Sequence, residues 1–105
     1  MPDTTFRNAR IVTPDAVVTG SLCIRDGLIA SMDEGGSTVG EDFDGDFLVA
    51  GLVELHTDHL EGHFAPRPGV RWNPVAAVQA HDAQIAASGI TTVFDCLRLG
   101  SDEND

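Results

Sequence analysis

The run His56-Thr57-Asp58-His59-Leu60-Glu61-Gly62-His63 gathers three imidazoles and two carboxylates. Imidazole nitrogen and carboxylate oxygen are the donors that zinc, manganese and iron accept. The run follows an apolar stretch, Phe47 to Leu55, that reads as a strand. Alternate side chains of a strand share one side, so His56 and Asp58 would face a single point as metal ligands. That point lies at a strand end, where an α/β barrel carries its chemistry. Beyond Asp58 two geometries compete. On a helix, His56, His59 and His63 would share a face, three and four residues apart. The strand character of Val49 to Leu55 and the early Pro66 favour a strand end followed by a loop. His56 and Asp58 then hold a divalent metal, zinc or manganese, with His59 in reserve as a further ligand. Glu61 and His63 stand behind them or face a substrate.

Downstream, Pro66-Arg67-Pro68-Gly69-Val70-Arg71-Trp72 sets two arginines among rigid residues. Guanidinium groups grip phosphate at two points, so Arg67 and Arg71 read as a local anion pocket. Trp72 reads as a packing anchor. Asp95 ends the β-branched run Ile90 to Phe94, where it either lines the same site or caps a loop. The chain has no Gly-rich phosphate loop, no Gly-x-Ser-x-Gly elbow and no sequence motif for a Cys/His nucleophile. The chemistry left is metal-assisted hydrolysis, in which a bound water becomes acidic enough to attack near neutral pH. The residues name no catalytic base.

What must position these groups is an α/β frame in two parts. Residues 1–47 read as short strands broken by Thr13-Pro14-Asp15, by Gly20 and by the hairpin dipeptide Asp26-Gly27. An acidic, Gly-rich loop from Glu34 to Asp46 follows. Residues 48–105 change period. Leu48 to Leu55 reads as a strand buried on both faces. Asn73-Pro74 is a helix start, Val75 to Ser88 an Ala-rich helix, and Gly89 its left-handed stop. Ile90 to Phe94 is the next strand. Strand, helix, strand makes a βαβ unit and a parallel sheet.

Bulk properties narrow the class. A net charge of −11, with six arginines and no lysine, lacks the basic stripe of a nucleic-acid surface. No apolar run approaches the roughly 20 residues that span a bilayer, and Met1 to Arg10 lacks a signal-peptide core. The expectation is a cytoplasmic protein with no nucleic-acid or membrane partner. Cys23 and Cys96 lie too far apart for a Cys-x-x-Cys motif and read as buried small residues.

On these residues the chain resembles the start of an amidohydrolase-superfamily enzyme. Phe6-Arg7-Asn8-Ala9-Arg10-Ile11-Val12 and Asp26-Gly27-Leu28-Ile29-Ala30 look like part of its N-terminal β-sandwich. Ala50-Gly51-Leu52-Val53-Glu54-Leu55-His56 is similar to its first barrel strand, with Ala50 in place of the usual proline. Ala87 to Asp95 looks like its second. Most members carry His-x-His, whereas His56-x-Asp58, followed by Pro66-Arg67-Pro68-Gly69, resembles the α-D-ribose 1-methylphosphonate 5-triphosphate diphosphatases of the carbon–phosphorus lyase pathway. The resemblance implies a metal-dependent (β/α)8 barrel that releases pyrophosphate from a ribose triphosphate, which would occupy Arg67 and Arg71. A complete barrel takes roughly 250 residues, so this chain of 105 would be an N-terminal portion, inactive alone. Its open strand edges would favour self-association into a homo-oligomer. Two other readings stand beside it: an amidohydrolase that cleaves a C–N bond, and a non-catalytic interaction fragment.

Overall fold

The computed structural model describes residues 2–98. The end of the second expected part, 99–105, lies outside the described residues. The fold is mixed α/β, mostly strand with two helices, and it divides into two compact units, Met1–Ala50 and Gly51–Asp105.

The first unit is one sheet. Strands β1 (Thr4–Val12), β2 (Val17–Arg25) and β3 (Leu28–Glu34) form an antiparallel meander. Two short strands, β4 (Glu41–Asp42) and β5 (Phe47–Leu48), pair parallel to β1. The expected Asp26-Gly27 turn closes the β2–β3 hairpin. Both residues take positive φ, +51° and +76°, as a type I′ turn requires. Gly20 does not break its strand. It lies opposite Glu34, and the Asp33 carbonyl comes so near that a Cβ would collide with it. The missing side chain is what lets the two backbones close. The acidic loop from Glu34 to Asp46 is also more ordered than expected. It returns along β1, with Phe43 N–H donating to the Arg7 carbonyl at 2.9 Å and Gly45 N–H to that of Asn8 at 2.8 Å. Ala9, Ile11 and Leu22 form the core, joined by Phe6, Ile24, Phe43 and Leu48. Among the described residues this unit forms one five-stranded sheet.

The second unit is the βαβ arrangement read from the sequence. Strand β6 (Leu52–Thr57) and strand β7 (Ile90–Asp95) run parallel, pairing Leu52 with Ile90 and Thr57 with Asp95. Helices α1 (Leu60–Phe64) and α2 (Pro74–Ala87) lie between them in the chain. Asn73 caps α2, its Oδ1 accepting from the N–H groups of Val75 at 2.9 Å and Ala76 at 3.1 Å. Pro74 takes the first helical position, where its missing N–H costs nothing. Gly89 follows the helix end at φ +78°.

Two expectations about burial fail. The apolar run Leu48 to Leu55 is not one buried strand: Leu48 pairs with Ile11 on β1, and β6 starts only at Leu52. Leu52, Val53 and Leu55 stay exposed, because a two-stranded sheet has too few neighbours to cover both faces. Trp72 is 60% exposed and anchors no core. The side chains that α2 does bury are Ala77 and His81.

Candidate metal and anion site

Strand β6 delivers His56 near its carboxyl end, and Thr57, the last residue of the strand, is buried between exposed His56 and Asp58. This alternation puts His56 and Asp58 on the side away from Thr57. His56, Asp58 and His59 line one pocket of about 320 Å³, together with Glu54 and Gln84. The strand-end geometry therefore holds up to Asp58, but the loop expected beyond it is a short helix. His59 stands at the N-cap of α1, and Glu61 and His63 lie within it. Thr57 Oγ1 accepts from His59 N–H at 3.2 Å, and the Asp58 carbonyl from Glu61 N–H at 3.2 Å, which turns the chain into this helix. Helix α1 ends at Phe64, two residues before Pro66, which cannot extend it.

His56 Nδ1 lies 3.1 Å from Cys96 Sγ, just past β7. Parallel pairing makes this contact, with Cys96 N–H donating to the Thr57 carbonyl at 2.8 Å. Cys96 is exposed and Cys23 half-buried, so neither is the buried small residue that its type suggests. With Nδ1 engaged, Nε2 is the nitrogen of His56 left for a metal. Histidine and aspartate are suitable donor types for zinc or manganese. No three donors from His, Cys, Asp and Glu converge among the described residues. Two protein donors fall short of the three that a catalytic zinc takes, so these residues alone do not build a hydrolytic metal centre.

Arg67 and Arg71 line a second, larger pocket of about 830 Å³. Arg67-Pro68-Gly69-Val70 is a tight turn closed by Val70 N–H to the Arg67 carbonyl at 3.1 Å, with Gly69 at φ +74°. Proline then left-handed glycine is the chemistry of a type II turn. The Arg71 guanidinium stands 5.7 Å from the centre of the Phe64 ring. A third arginine, Arg98, lines the same pocket and pairs loosely with Glu61 at 3.7 Å.

His63 lines neither pocket. Its Nε2 bonds Gln84 Oε1 on α2 at 2.8 Å. Asp95 neither joins His56 nor caps a loop. Its Oδ1 lies 2.9 Å from Nε2 of His81, which is 5% exposed. Sequence reasoning passed over His81 and Arg98. A signal existed for His81: it follows Ala77 by four residues, on the same face of an Ala-rich helix, and a histidine on a buried face needs a partner.

Among curated proteins, the chain is 44% identical over 97 residues to the α-D-ribose 1-methylphosphonate 5-triphosphate diphosphatase of Escherichia coli strain K12. The match covers 90% of this chain. The chain corresponds to an N-terminal portion of that enzyme. It spans 26% of the relative's length. No family model matches. A crystal structure of an uncharacterized protein superposes with a TM-score of 0.62 over 90% of this chain and 26% of its own, at 15% identity. At that identity the likeness concerns the fold alone. No described helix is long and apolar enough to cross a membrane.

Proposed function

We propose that this chain is an N-terminal segment of a metal-dependent hydrolase of phosphonate catabolism. The reaction releases pyrophosphate from α-D-ribose 1-methylphosphonate 5-triphosphate and leaves the 5-phosphate. The observation that carries this reading is the 44% identity, over 90% of the chain, with the Escherichia coli diphosphatase. Because the chain spans 26% of that relative, the activity is proposed for a protein that carries this segment within a whole barrel. Leu52, Val53, Leu55 and Phe94 are exposed apolar side chains on β6 and β7, which further barrel strands and helices would cover. A phosphorylated substrate of this kind fits a cytoplasmic reaction.

Charge supports the substrate class. A protein of net charge −11 repels a polyanion over most of its surface. Among the described residues, Arg67, Arg71 and Arg98 line one pocket together with Glu61, which gathers guanidinium groups where a phosphate could be met. Arg67 and Arg71 hold the triphosphate there. His56 and Asp58, with His59 in reserve, supply donors for a zinc or manganese ion that would make water a competent nucleophile. A second reading, a non-catalytic interaction fragment, draws on the lack of a third converging donor among the described residues.

Inorganic triphosphate is the direct probe. Titrated calorimetrically against the chain, it should bind wild type about tenfold to a hundredfold more tightly than Arg67→Ala or Arg71→Ala, each losing a charge-assisted bond of about 1.5–3 kcal/mol. Equal affinity in all three removes the anion pocket. Pyrophosphate release by the longer protein, dependent on zinc or manganese, separates the enzyme from the interaction fragment.

A further inference from the structure

Arg98 is held differently from the arginines of the first unit. There each Nε–H donates to a fixed oxygen: Arg7 to the Gly40 carbonyl at 3.2 Å, Arg10 to the Gly45 carbonyl at 2.6 Å and Arg25 to Asp3 at 3.0 Å. Arg25 Nη2 adds a second bond to Asp3 at 2.6 Å. Such a two-point bridge commits a guanidinium to one carboxylate. Arg98 Nε stands 3.7 Å from Glu61 Oε1, beyond hydrogen-bond length, and its side chain is 74% exposed. A contact of this kind is weak, because water screens it and a long side chain loses freedom in making it.

Topology decides where this loosely held cation lies. Arg98 follows β7 and Glu61 follows β6, so both stand beyond the carboxyl ends of two parallel strands, where α/β sheets and barrels meet their ligands. Both line the pocket that Arg67 and Arg71 line, and Glu61 is its one acidic residue among the described residues. A triphosphate is a chain of three phosphate groups, so it meets guanidinium groups at separate points along a wall and needs no common focus. Each phosphate offers a pair of oxygens, and with it the two-point bond that Glu61 does not make with Arg98. Glu61 is fixed in helix α1, its carbonyl accepting from Ala65 N–H at 2.7 Å. The movement therefore falls to the exposed Arg98.

We propose that Arg98 is a third phosphate-binding residue of this pocket, and that an entering triphosphate takes it from Glu61. The inference rests on the anion-pocket reading of Arg67 and Arg71 and adds to it a charge shared between two partners. Glu61 then opposes binding in two ways. Its carboxylate repels the phosphates, and it competes with them for Arg98. Only the competition requires Arg98, so the two effects separate.

Calorimetric titration of inorganic triphosphate into the full chain, at constant ionic strength, tests this as a double-mutant cycle. Arg98→Ala should weaken binding about threefold to tenfold, since the ion pair given up to Glu61 offsets part of a charge-assisted bond. Glu61→Gln should tighten it. That gain should be about twofold to fivefold larger with Arg98 present than in the Arg98→Ala background, because the ratio measures the exposed pair that binding breaks. Helical circular dichroism should not change, as neither side chain is buried. Wild-type affinity in Arg98→Ala overturns the proposal. So does an equal gain from Glu61→Gln in both backgrounds, which reduces Glu61 to plain repulsion. If Arg67→Ala and Arg71→Ala also bind as wild type, the whole anion pocket falls; if Arg98→Ala alone does, only this inference falls.

Discussion

Replacing Asp95 by alanine should loosen the second unit by an amount that the structure fixes within narrow limits. Asp95 Oδ1 is the acceptor for His81 Nε2–H at 2.9 Å, and the His81 side chain is only 6% exposed. The Nδ1 of that ring already has no partner, so Asp95→Ala would leave both nitrogens of a buried imidazole unsatisfied. Stranding one buried donor costs about 1–3 kcal/mol. The Asp95 side chain is a quarter exposed, so water screens the ionic part and the loss should fall near about 1.5–2 kcal/mol. Asp95→Asn keeps an oxygen in place and should lose only about 0.5–1 kcal/mol, the usual value of a neutral bond. Both helices belong to this unit, so ellipticity at 222 nm follows it without interference from the all-β first unit. At roughly 4–8 °C per kcal/mol, Tm should drop by roughly 6–16 °C in the alanine variant and by roughly 2–8 °C in the asparagine one. An alanine variant that melts with wild type would show that this bond does not hold α2 against β7. An asparagine variant as weak as alanine would refute the argument that an oxygen acceptor is what His81 needs.

Two further outcomes are expected. Asn73→Ala strands the Val75 and Ala76 N–H groups and should cost about 1 kcal/mol in the same assay, whereas Asn73→Asp should cost little because a carboxylate still caps and favours the helix N-terminus. In the first unit, the Asp44 N–H, then Asn8 and Arg7, hold the Asp42 carboxyl below its ordinary range. Its contribution is therefore full above about pH 4 and lost as pH falls through the lowered folded value. Protection factors at Ala9 and Ile11, corrected for the intrinsic pH dependence of amide exchange, should fall in acid, and less steeply in Asp42→Asn.

Legibility of the fold followed the range of the interactions. Asp26-Gly27 and Asn73-Pro74 to Gly89 are local devices, and the chain adopts each as its residue types require. Gly20 is different. Its role is to let the Asp33 backbone approach, and that neighbour is identified only once β2 and β3 have paired. The run from Leu48 to Leu55 shows the same limit from the other side. Hydropathy runs smoothly along it, yet Leu48 closes a sheet with β1 while Leu52 opens one with β7. Pairing partners divide it, and apolar character carries no record of them. The short parallel strands β4 and β5 were unreadable for that reason too.

At the site, residue types were legible and their partnerships were not. By type and spacing alone, His56 and Asp58 suit a metal and Arg67 and Arg71 suit phosphate. The contacts of His56 with Cys96 and of His81 with Asp95 arise only when β7 lies parallel to β6 and α2 packs against it. Net charge cannot supply such detail, since a chain at −11 attracts cations over most of its surface without choosing a place. What selects a place for a metal is where a lone pair points. For His81 that is set by the Asp95 carboxylate, which can only accept from the ring nitrogen it faces. A histidine's neighbours in space, more than its neighbours in sequence, determine which of its nitrogens can bind.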